Sequence, residues 1–242
     1  MNPRARADAA SLVPILVGLW VISGSAIGQK NLAFNNLTKD VAGLPRVLII
    51  GDSISKGHTQ QVREGLAEIA NVHRVQGDTG RTDMDIARMD VYLVPKLGSS
   101  DIIHFNSGLG GLCCVNLDCK TQGNRDKVGG TIAHTPEQYL GNLDKVVGQL
   151  KATGAETIFA TTTPVSEEEA GRRLGDDKIS SAIPIKLMET RGIRVNDLHS
   201  VMVGSMKKLA KGPGDVHFTD ERSRKLANAV ITAIPSTIVP KQ

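Results

Sequence analysis

The segment Arg46-Val-Leu-Ile-Ile-Gly-Asp-Ser-Ile-Ser55 carries the strongest fold signal in this 242-residue chain. Its run of Val, Leu and Ile is typical of a strand that is buried on both faces, as the strands of parallel sheets are. The Gly51-Asp52-Ser53 step at the end of the run predicts a sharp turn that exposes the Ser53 hydroxyl. Ser53 is therefore a candidate nucleophile, and the alternative is an ordinary serine at a turn or helix N-cap.

Apolar, strand-like runs recur along the chain and alternate with helical patterns. The strand-like runs cover residues 46–51, 72–76, 101–106, 156–161 and 193–197, and the helical patterns cover 59–70, 83–97, 135–153, 178–191 and 219–234. This alternation predicts a three-layer, flavodoxin-like α/β sandwich with a mainly parallel five-stranded sheet. Ligands of such sheets bind beyond the carboxyl ends of the strands. Residues that follow their strands at that edge are Ser53, Gly80, Asn106 and 161–163.

A second motif, Gly212-Pro-Gly-Asp-Val-His-Phe-Thr219, supplies the base that a serine nucleophile needs. It places Asp215 and His217 in a Gly/Pro loop just before a helical pattern. A serine early in the chain and an Asp/His pair late is one order that Ser-His-Asp hydrolases take. Asp197, at the end of the last strand-like run, is an alternative partner for His217, and it also fits a turn or helix-cap aspartate.

Taken together, Gly51-Asp52-Ser53-Ile54-Ser55 and Asp215-Val216-His217-Phe218-Thr219 resemble the first and last blocks of the SGNH (GDSL-type) hydrolase family. The resemblance runs from about residue 46 to about residue 234. It implies that Ser53 is the nucleophile, that His217 is the general base and that an acid orients the imidazole. It further implies an oxyanion hole built from the Ser53 backbone N–H, a glycine for which Gly80 is the candidate, and an asparagine amide.

Two positions depart from the family pattern. The family acid usually stands three residues before the histidine, where this chain has Gly214, so the role falls to Asp215 or Asp197. The third family block, Gly-x-Asn-Asp, aligns with Gly108-Leu-Gly-Gly111 and lacks both polar residues. Asn106 is the candidate replacement donor if the loop is remodelled. Loss of one oxyanion-hole donor typically lowers the rate about 100- to 1,000-fold, which weakens an esterase without abolishing it.

The N-terminal segment predicts export. Arg4 and Arg6 precede an apolar stretch over 12–22, and small residues follow up to Gly28, which is typical of a signal peptide over 1–28. The rival interpretation is an uncleaved anchor, but the apolar run is shorter than the roughly 20 residues that a membrane-spanning helix needs. We therefore expect a linker over 29–44, a hydrolase domain over 45–242, a secreted or periplasmic location and no stable membrane span.

The cysteines and the net charge limit which cofactors and binding partners are expected. In an oxidising compartment one disulfide is expected, between Cys119 and either Cys113 or Cys114. The three thiols have no histidine at ligand spacing, so a metal site is not expected. The hydrolase interpretation implies no organic cofactor. A formal net charge of only +4 without a long Lys/Arg run argues against nucleic-acid binding.

These observations predict a secreted serine esterase that hydrolyses a small acyl ester, acetyl being the favoured group, on a small molecule or glycan. His-Phe-Asn at 104–106 adds a resemblance to a secreted bacterial branch of the family. The polar segment 110–135 is expected to be an irregular loop, either over the site or on the surface. His104 fits a core histidine. The alternatives are a non-catalytic carbohydrate-binding protein on the same scaffold, and a lipase or thioesterase.

Overall fold

A five-stranded parallel sheet forms the centre of the computed structural model, which describes residues 39–93, 99–111, 113–119, 124–173, 175–203 and 214–235. The strands are β1 (Arg46–Ile50), β2 (Asn71–Arg74), β3 (Ile102–Phe105), β4 (Cys114–Val115), β5 (Thr131–Ile132), β6 (Glu156–Ala160) and β7 (Arg194–Asn196). The helices are α1 (Ser53–Gly65), α2 (Thr82–Ala87), α3 (Met89–Tyr92), α4 (Pro136–Ala152), α5 (Asp176–Thr190), α6 (Leu198–Val203) and α7 (Asp220–Ala233).

The strand order of the sheet is β2-β1-β3-β6-β7, and every neighbouring pair in it is parallel. In register, Val47 of β1 stands beside Val72 of β2 and Ile102 of β3. The predicted flavodoxin-like α/β sandwich is thereby confirmed. All five predicted strands are present, each within two residues of its expected bounds.

The sheet divides the apolar core into two layers because successive strand residues point to opposite faces. Val47 and Ile49 lie on one face of β1, where α1, α6 and α7 contribute Val62, Met202 and Leu226. Leu48 and Ile50 lie on the other face with the following core residues of β3, β6, α4 and α5: Ile103, Phe105, Phe159, Leu143, Val147 and Met188. Helices on both faces leave the carboxyl ends of the strands as the open edge.

Two helical predictions need correction. Helix α1 begins at Ser53, directly after the turn, and not at residue 59, because Asp52 caps it there. The expected single helix over 83–97 is interrupted at Arg88, which separates α2 from α3, and residues 94–98 lie outside the described part. Helix α6 was not anticipated, because a six-residue helix is too short to show a clear period.

The segment 110–135 contains an antiparallel hairpin rather than irregular loop alone. Strand β4 pairs with β5, with Cys114 opposite Ile132 and Val115 opposite Thr131. Two-residue strands carry too little alternation to be recognised in a sequence.

The predicted disulfide is wrong: no disulfide joins the cysteines of the described residues. Cys113 is buried, and its Sγ donates to the Cys114 carbonyl oxygen at 3.4 Å. The Cys119 Sγ instead faces the carbonyl oxygen of Arg125 at 3.9 Å. The thiols are thus directed at backbone acceptors and not at one another.

The expected signal peptide over 1–28 lies outside the described residues, as does most of the expected linker. The rest of that linker, from residue 39, packs on the edge strand β2: Asp40 Oδ1 bonds His73 Nε2 at 2.7 Å, and Val41 N–H donates to Asn71 Oδ1 at 2.8 Å. Within the described ranges, no helix is both long and apolar enough to cross a membrane.

Candidate active site

Ser53 lies at the junction between β1 and α1, at the carboxyl edge of the sheet. Asp52 is the N-cap of α1, and its Oδ1 accepts the Ile54 N–H at 2.9 Å. Ser53 is therefore the first residue of the helix, where backbone N–H groups point outward and the helix dipole favours negative charge. Burial raises the pKa of the Asp52 carboxyl above its ordinary value.

The structure brings Ser53, His217 and Asp215 into one hydrogen-bonded chain. His217 Nε2 lies 2.8 Å from Ser53 Oγ, and His217 Nδ1 lies 2.6 Å from Asp215 Oδ1. The same Asp215 oxygen accepts the His217 backbone N–H at 2.9 Å. This tight turn explains how an acid only two residues before the histidine reaches the imidazole. The arrangement has the geometry in which a base can take the serine proton while an acid fixes its tautomer.

Asp197 does not approach His217 through any of its hydrogen bonds and instead caps α6. Its Oδ1 accepts from Thr161 Oγ1 at 2.9 Å and from the Ser200 N–H at 3.1 Å. Burial opposes ionisation of Asp197, but hydrogen bonds from Ser200 and Thr161 outweigh it and lower the pKa of the carboxyl. Of the two acids left open by the sequence, the geometry selects Asp215.

Arg74 stabilises the turn that carries Ser53, although the sequence does not mark it as a site residue. Its Nε donates to Ser55 Oγ at 2.7 Å, and its Nη2 donates to the carbonyl oxygens of Gly51 and Asp52, each at 2.9 Å. Its Nη1 donates to the carbonyl oxygens of Val75 and Gly77 in the turn after β2. Arg74 is buried, and burial lowers its pKa. Strand β2 reads Asn-Val-His-Arg, so the arginine stands among other polar residues and nothing in the sequence marks it.

Both remaining predicted oxyanion donors have a hydrogen-bond partner within the protein, but the Asn106 amide carries a second N–H. The Gly80 N–H donates to Asp85 Oδ1 at 3.0 Å, and the Asn106 side-chain amide donates to the Ala160 carbonyl oxygen at 2.8 Å. Asp85 is buried and also accepts the Ser107 hydroxyl, so it ties the turn after β2 to the loop after β3. The Ser53 N–H is the predicted donor that the geometry supports.

The loop after β3 packs too closely for side chains where the family pattern has Asn and Asp. A Cβ on Gly110 would lie 2.2 Å from the Gly80 carbonyl oxygen, and a Cβ on Gly111 would lie 2.6 Å from the Tyr139 ring. Backbone of the neighbouring turn therefore fills the space that a residue 110 side chain would enter. The departure from the family pattern is built into the packing of this chain.

A pocket of about 230 Å³ opens beside the nucleophile. It is lined by Ser53, Ile54, Lys56, Gly57, His217, Phe218, Asp220 and Ser223. Its mixed polar and apolar walls suit a small polar ester. Among the described residues, no group of three or more His, Cys, Asp or Glu side chains could hold a metal ion.

Two buried histidines line a small cavity together with Asp52 and Ser55, and they take no part in the triad. His104, on β3, bonds the Asn196 amide through Nε2 at 3.1 Å, which confirms its prediction as a core histidine. Burial lowers the pKa of His104 to about 4 and that of His58, on α1, to about 3. Both are therefore neutral near pH 7.

Neither a protein-family model nor a curated protein matches the sequence. Solved structures do match the fold. An acetyl xylan esterase, AlAXEase, superposes with a TM-score of 0.61 and 16% sequence identity, covering 78% of this chain and 100% of that one. A lipase/acylhydrolase from Enterococcus faecalis gives 0.64 and 15%, covering 82% and 100%.

A GDSL-like lipase from Bacteroides thetaiotaomicron gives a TM-score of 0.59 at 16% identity, covering 81% of this chain and 91% of that one. At these identities the comparisons establish a shared fold. The chain thus has the fold of ester hydrolases of the GDSL type, with a Ser-His-Asp chain at the carboxyl edge of its sheet.

Proposed function

We propose that this protein is a serine ester hydrolase of the SGNH type. The observation that carries the proposal is the continuous hydrogen-bonded chain from Ser53 Oγ through His217 to Asp215, next to an open pocket. The shared fold with esterases and acylhydrolases supports the same conclusion.

The reaction follows from the geometry in two steps. Ser53 Oγ attacks the ester carbonyl carbon while His217 Nε2 takes the hydroxyl proton, and the intermediate collapses as Nε2 returns that proton to the departing alcohol. Water then attacks the acyl-enzyme and gives a proton to Nε2, which passes it to Ser53 Oγ as the acyl–Oγ bond breaks and the carboxylic acid leaves. Asp215 holds Nδ1–H throughout, which keeps Nε2 available as the base.

The Ser53 N–H, at the start of α1, would donate a hydrogen bond to the negative oxygen of each tetrahedral intermediate. The helix dipole would add to this stabilisation. Because the single N–H of Gly80 bonds Asp85, the hole has one donor fewer than the family pattern implies. We expect turnover to be slow for this reason.

For the substrate we propose a small acyl group, acetyl first, esterified to a sugar or another small alcohol. The modest pocket beside Ser53 supports a short acyl group. The neighbouring acetyl xylan esterase is one protein of this fold with such an activity. The N-terminal sequence supports a secreted or periplasmic site of action.

The test is hydrolysis of p-nitrophenyl acetate, butyrate and octanoate by the purified protein and by the variants Ser53→Ala and His217→Ala. We expect the acetate to be preferred and kcat/KM to fall by about 10⁴-fold or more in both variants, as in other triads. Circular dichroism of each variant controls for folding. Equal rates in wild type and Ser53→Ala on every ester would refute the proposal.

A further inference from the structure

Arg172 is a buried cation that the triad does not use and that acts electrostatically on Asp52, the residue before Ser53. Its side chain is only 8% exposed. Its Nε donates to the Leu109 carbonyl oxygen, and its Nη1 bonds Glu169 Oε1 at 2.8 Å. The remaining nitrogen, Nη2, has no partner among the described residues. A guanidinium carries five N–H donors, so this arrangement leaves donors unused at a largely buried position.

The segment that carries Arg172 lies at the catalytic edge. On one side, a Cβ placed on Gly214, the residue before Asp215, would lie 2.8 Å from the Glu168 carbonyl oxygen. On the other side, Arg172 contacts Leu109, which lines one small cavity together with Asp52. The segment therefore bridges the loop of the histidine and the loop after β3, which flank Ser53.

Glu169 is shared between two arginines. Its Oε1 accepts from Arg172 Nη1 at 2.8 Å and from Arg125 Nη1 at 2.9 Å. Burial raises the pKa of the nearby Asp52 carboxyl, which Arg172 opposes only in part. The Asp52 Oδ1 caps α1. Within the described part of the chain, neither carboxylate bonds Arg172 Nη2.

We propose that Arg172 forms an anion subsite of the active site and that the preferred esters carry a carboxylate within reach of it. The proposal rests on the hydrolase function proposed above and names its substrate class. A guanidinium fork binds a carboxylate with two parallel hydrogen bonds, which gives both affinity and orientation. The negative group can belong to the acyl part or to the alcohol part, as in a uronic acid.

Two matched substrate pairs distinguish these sources. For the acyl side we compare 4-nitrophenyl hydrogen adipate with its methyl ester, and for the alcohol side 4-acetoxybenzoate with its methyl ester. We expect the wild type to prefer the charged member of at least one pair. We expect Arg172→Gln to reduce that preference about 10- to 100-fold, the range of one charge-assisted hydrogen bond, mainly through KM.

The neighbouring Arg173 supplies the control, because it is exposed and carries the same charge. Arg173→Gln should leave the preference within twofold of wild type. Arg172→Lys, which keeps the charge and loses the fork, should retain part of the preference if Arg172→Gln fails to fold. An unchanged preference in both Arg172 variants, or an equal fall in Arg173→Gln, overturns the proposal, as does a wild type that favours the neutral esters.

Binding separates this subsite from the catalytic proposal. Titration of Ser53→Ala with monomethyl adipate and with 4-acetoxybenzoate should give binding that weakens by the same factor when Arg172→Gln is added. If Ser53 proves inert toward every ester and this dependence persists, the hydrolase proposal fails and the anion subsite stands. Anion binding that is identical with and without the Arg172 side chain contradicts the subsite whether or not the esters are hydrolysed.

Discussion

Two Asp–His pairs lie at the carboxyl edge of the sheet, and they differ in what the second imidazole nitrogen faces. In the first pair, His217 uses Nδ1 for Asp215 and presents Nε2 to Ser53 at 2.8 Å. In the second, His199 uses Nε2 for Asp177 at 2.8 Å. The Nε2 atom of His199 is therefore bonded to the carboxylate, and no nucleophile among the described residues bonds its Nδ1.

Exposure separates the two pairs further. The His217 and Asp215 side chains are 44% and 35% exposed, whereas those of His199 and Asp177 are 13% and 7% exposed. His199 also donates its backbone N–H to Thr161 Oγ1 at 2.9 Å, which joins the start of α6 to the end of β6. An Asp–His pair at the carboxyl edge of the sheet is thus not sufficient for catalysis, and the His199–Asp177 pair is best understood as a structural clamp.

The largest expected contrast comes from the same isosteric change in each pair. Asp215→Asn should lower kcat/KM on p-nitrophenyl acetate about 10²- to 10⁴-fold, because the amide favours the tautomer in which Nε2 cannot accept the serine proton. Asp177→Asn should leave kcat/KM within twofold. Steady-state kinetics of the two variants side by side is the measurement. Equal losses would remove the distinction between the pairs.

Arg74→Lys tests whether the first pair depends on the turn that presents Ser53. Lysine keeps the charge but cannot serve the carbonyl oxygens of Gly51, Asp52 and Gly77 at once. We expect kcat to fall about tenfold or more with KM nearly unchanged, and stability to fall by about 2–3 kcal/mol. A variant that loses stability while retaining wild-type kcat would show that Arg74 has no positioning role.

The His199–Asp177 pair should contribute more to the free energy of unfolding than the His217–Asp215 pair. Asp177→Asn leaves the partly buried His199 with a weaker partner, and we expect the free energy of unfolding to fall by about 1–3 kcal/mol. Denaturant titration followed by circular dichroism measures it. Asp215→Asn, in the more exposed pair, should change stability by less than about 1 kcal/mol. The reverse order would contradict the clamp interpretation.

Folding stability should fall at low pH because of two histidines that belong to neither Asp–His pair. His58 and His104 have folded-state pKa values of about 3 and about 4, below the ordinary 6.5, so between these limits the unfolded chain binds protons that the folded protein does not. Their contribution is complete above about pH 6.5 and is lost as the pH falls, by at most about 1.4 kcal/mol per pH unit for each histidine.

Denaturant titrations at pH 7.0, 5.5 and 4.5 measure this loss. The carboxyls of Asp52 and Asp85, whose pKa values burial raises, act with the opposite sign. The His104→Gln variant isolates the histidine contribution, since glutamine can still bond Asn196 but does not titrate. A variant with the same pH slope as the wild type would exclude His104 as the cause.

The fold and the Ser53–His217 pair were accessible from the sequence because each rests on a local pattern. The buried run before Gly51 predicts β1, and a Gly/Pro loop with an acid and a histidine predicts the base. The choice of Asp215 over Asp197 was not accessible, because it depends on a turn geometry in which one carboxylate bonds both the backbone and the ring of His217.

The hydrogen-bond partners of Gly80 and of the cysteines could not be predicted for a related reason. Whether Gly80 donates to substrate or to Asp85 depends on a side chain five residues away that the sequence does not mark as buried. The direction of the Cys119 thiol depends on how the loop after β4 folds back toward Arg125. Contacts between loops leave no periodic pattern of apolar residues, so they cannot be predicted from a single sequence.

The contact between Gly110 and the Gly80–Arg81 peptide limits how this protein can change. Introducing asparagine at 110 by one substitution would drive its Cβ into the Gly80 carbonyl oxygen, so this substitution alone would lower stability. The turn after β2 must move first. An engineered oxyanion donor at position 110 therefore has a required order of steps, with residues 80 and 81 remodelled before residue 110.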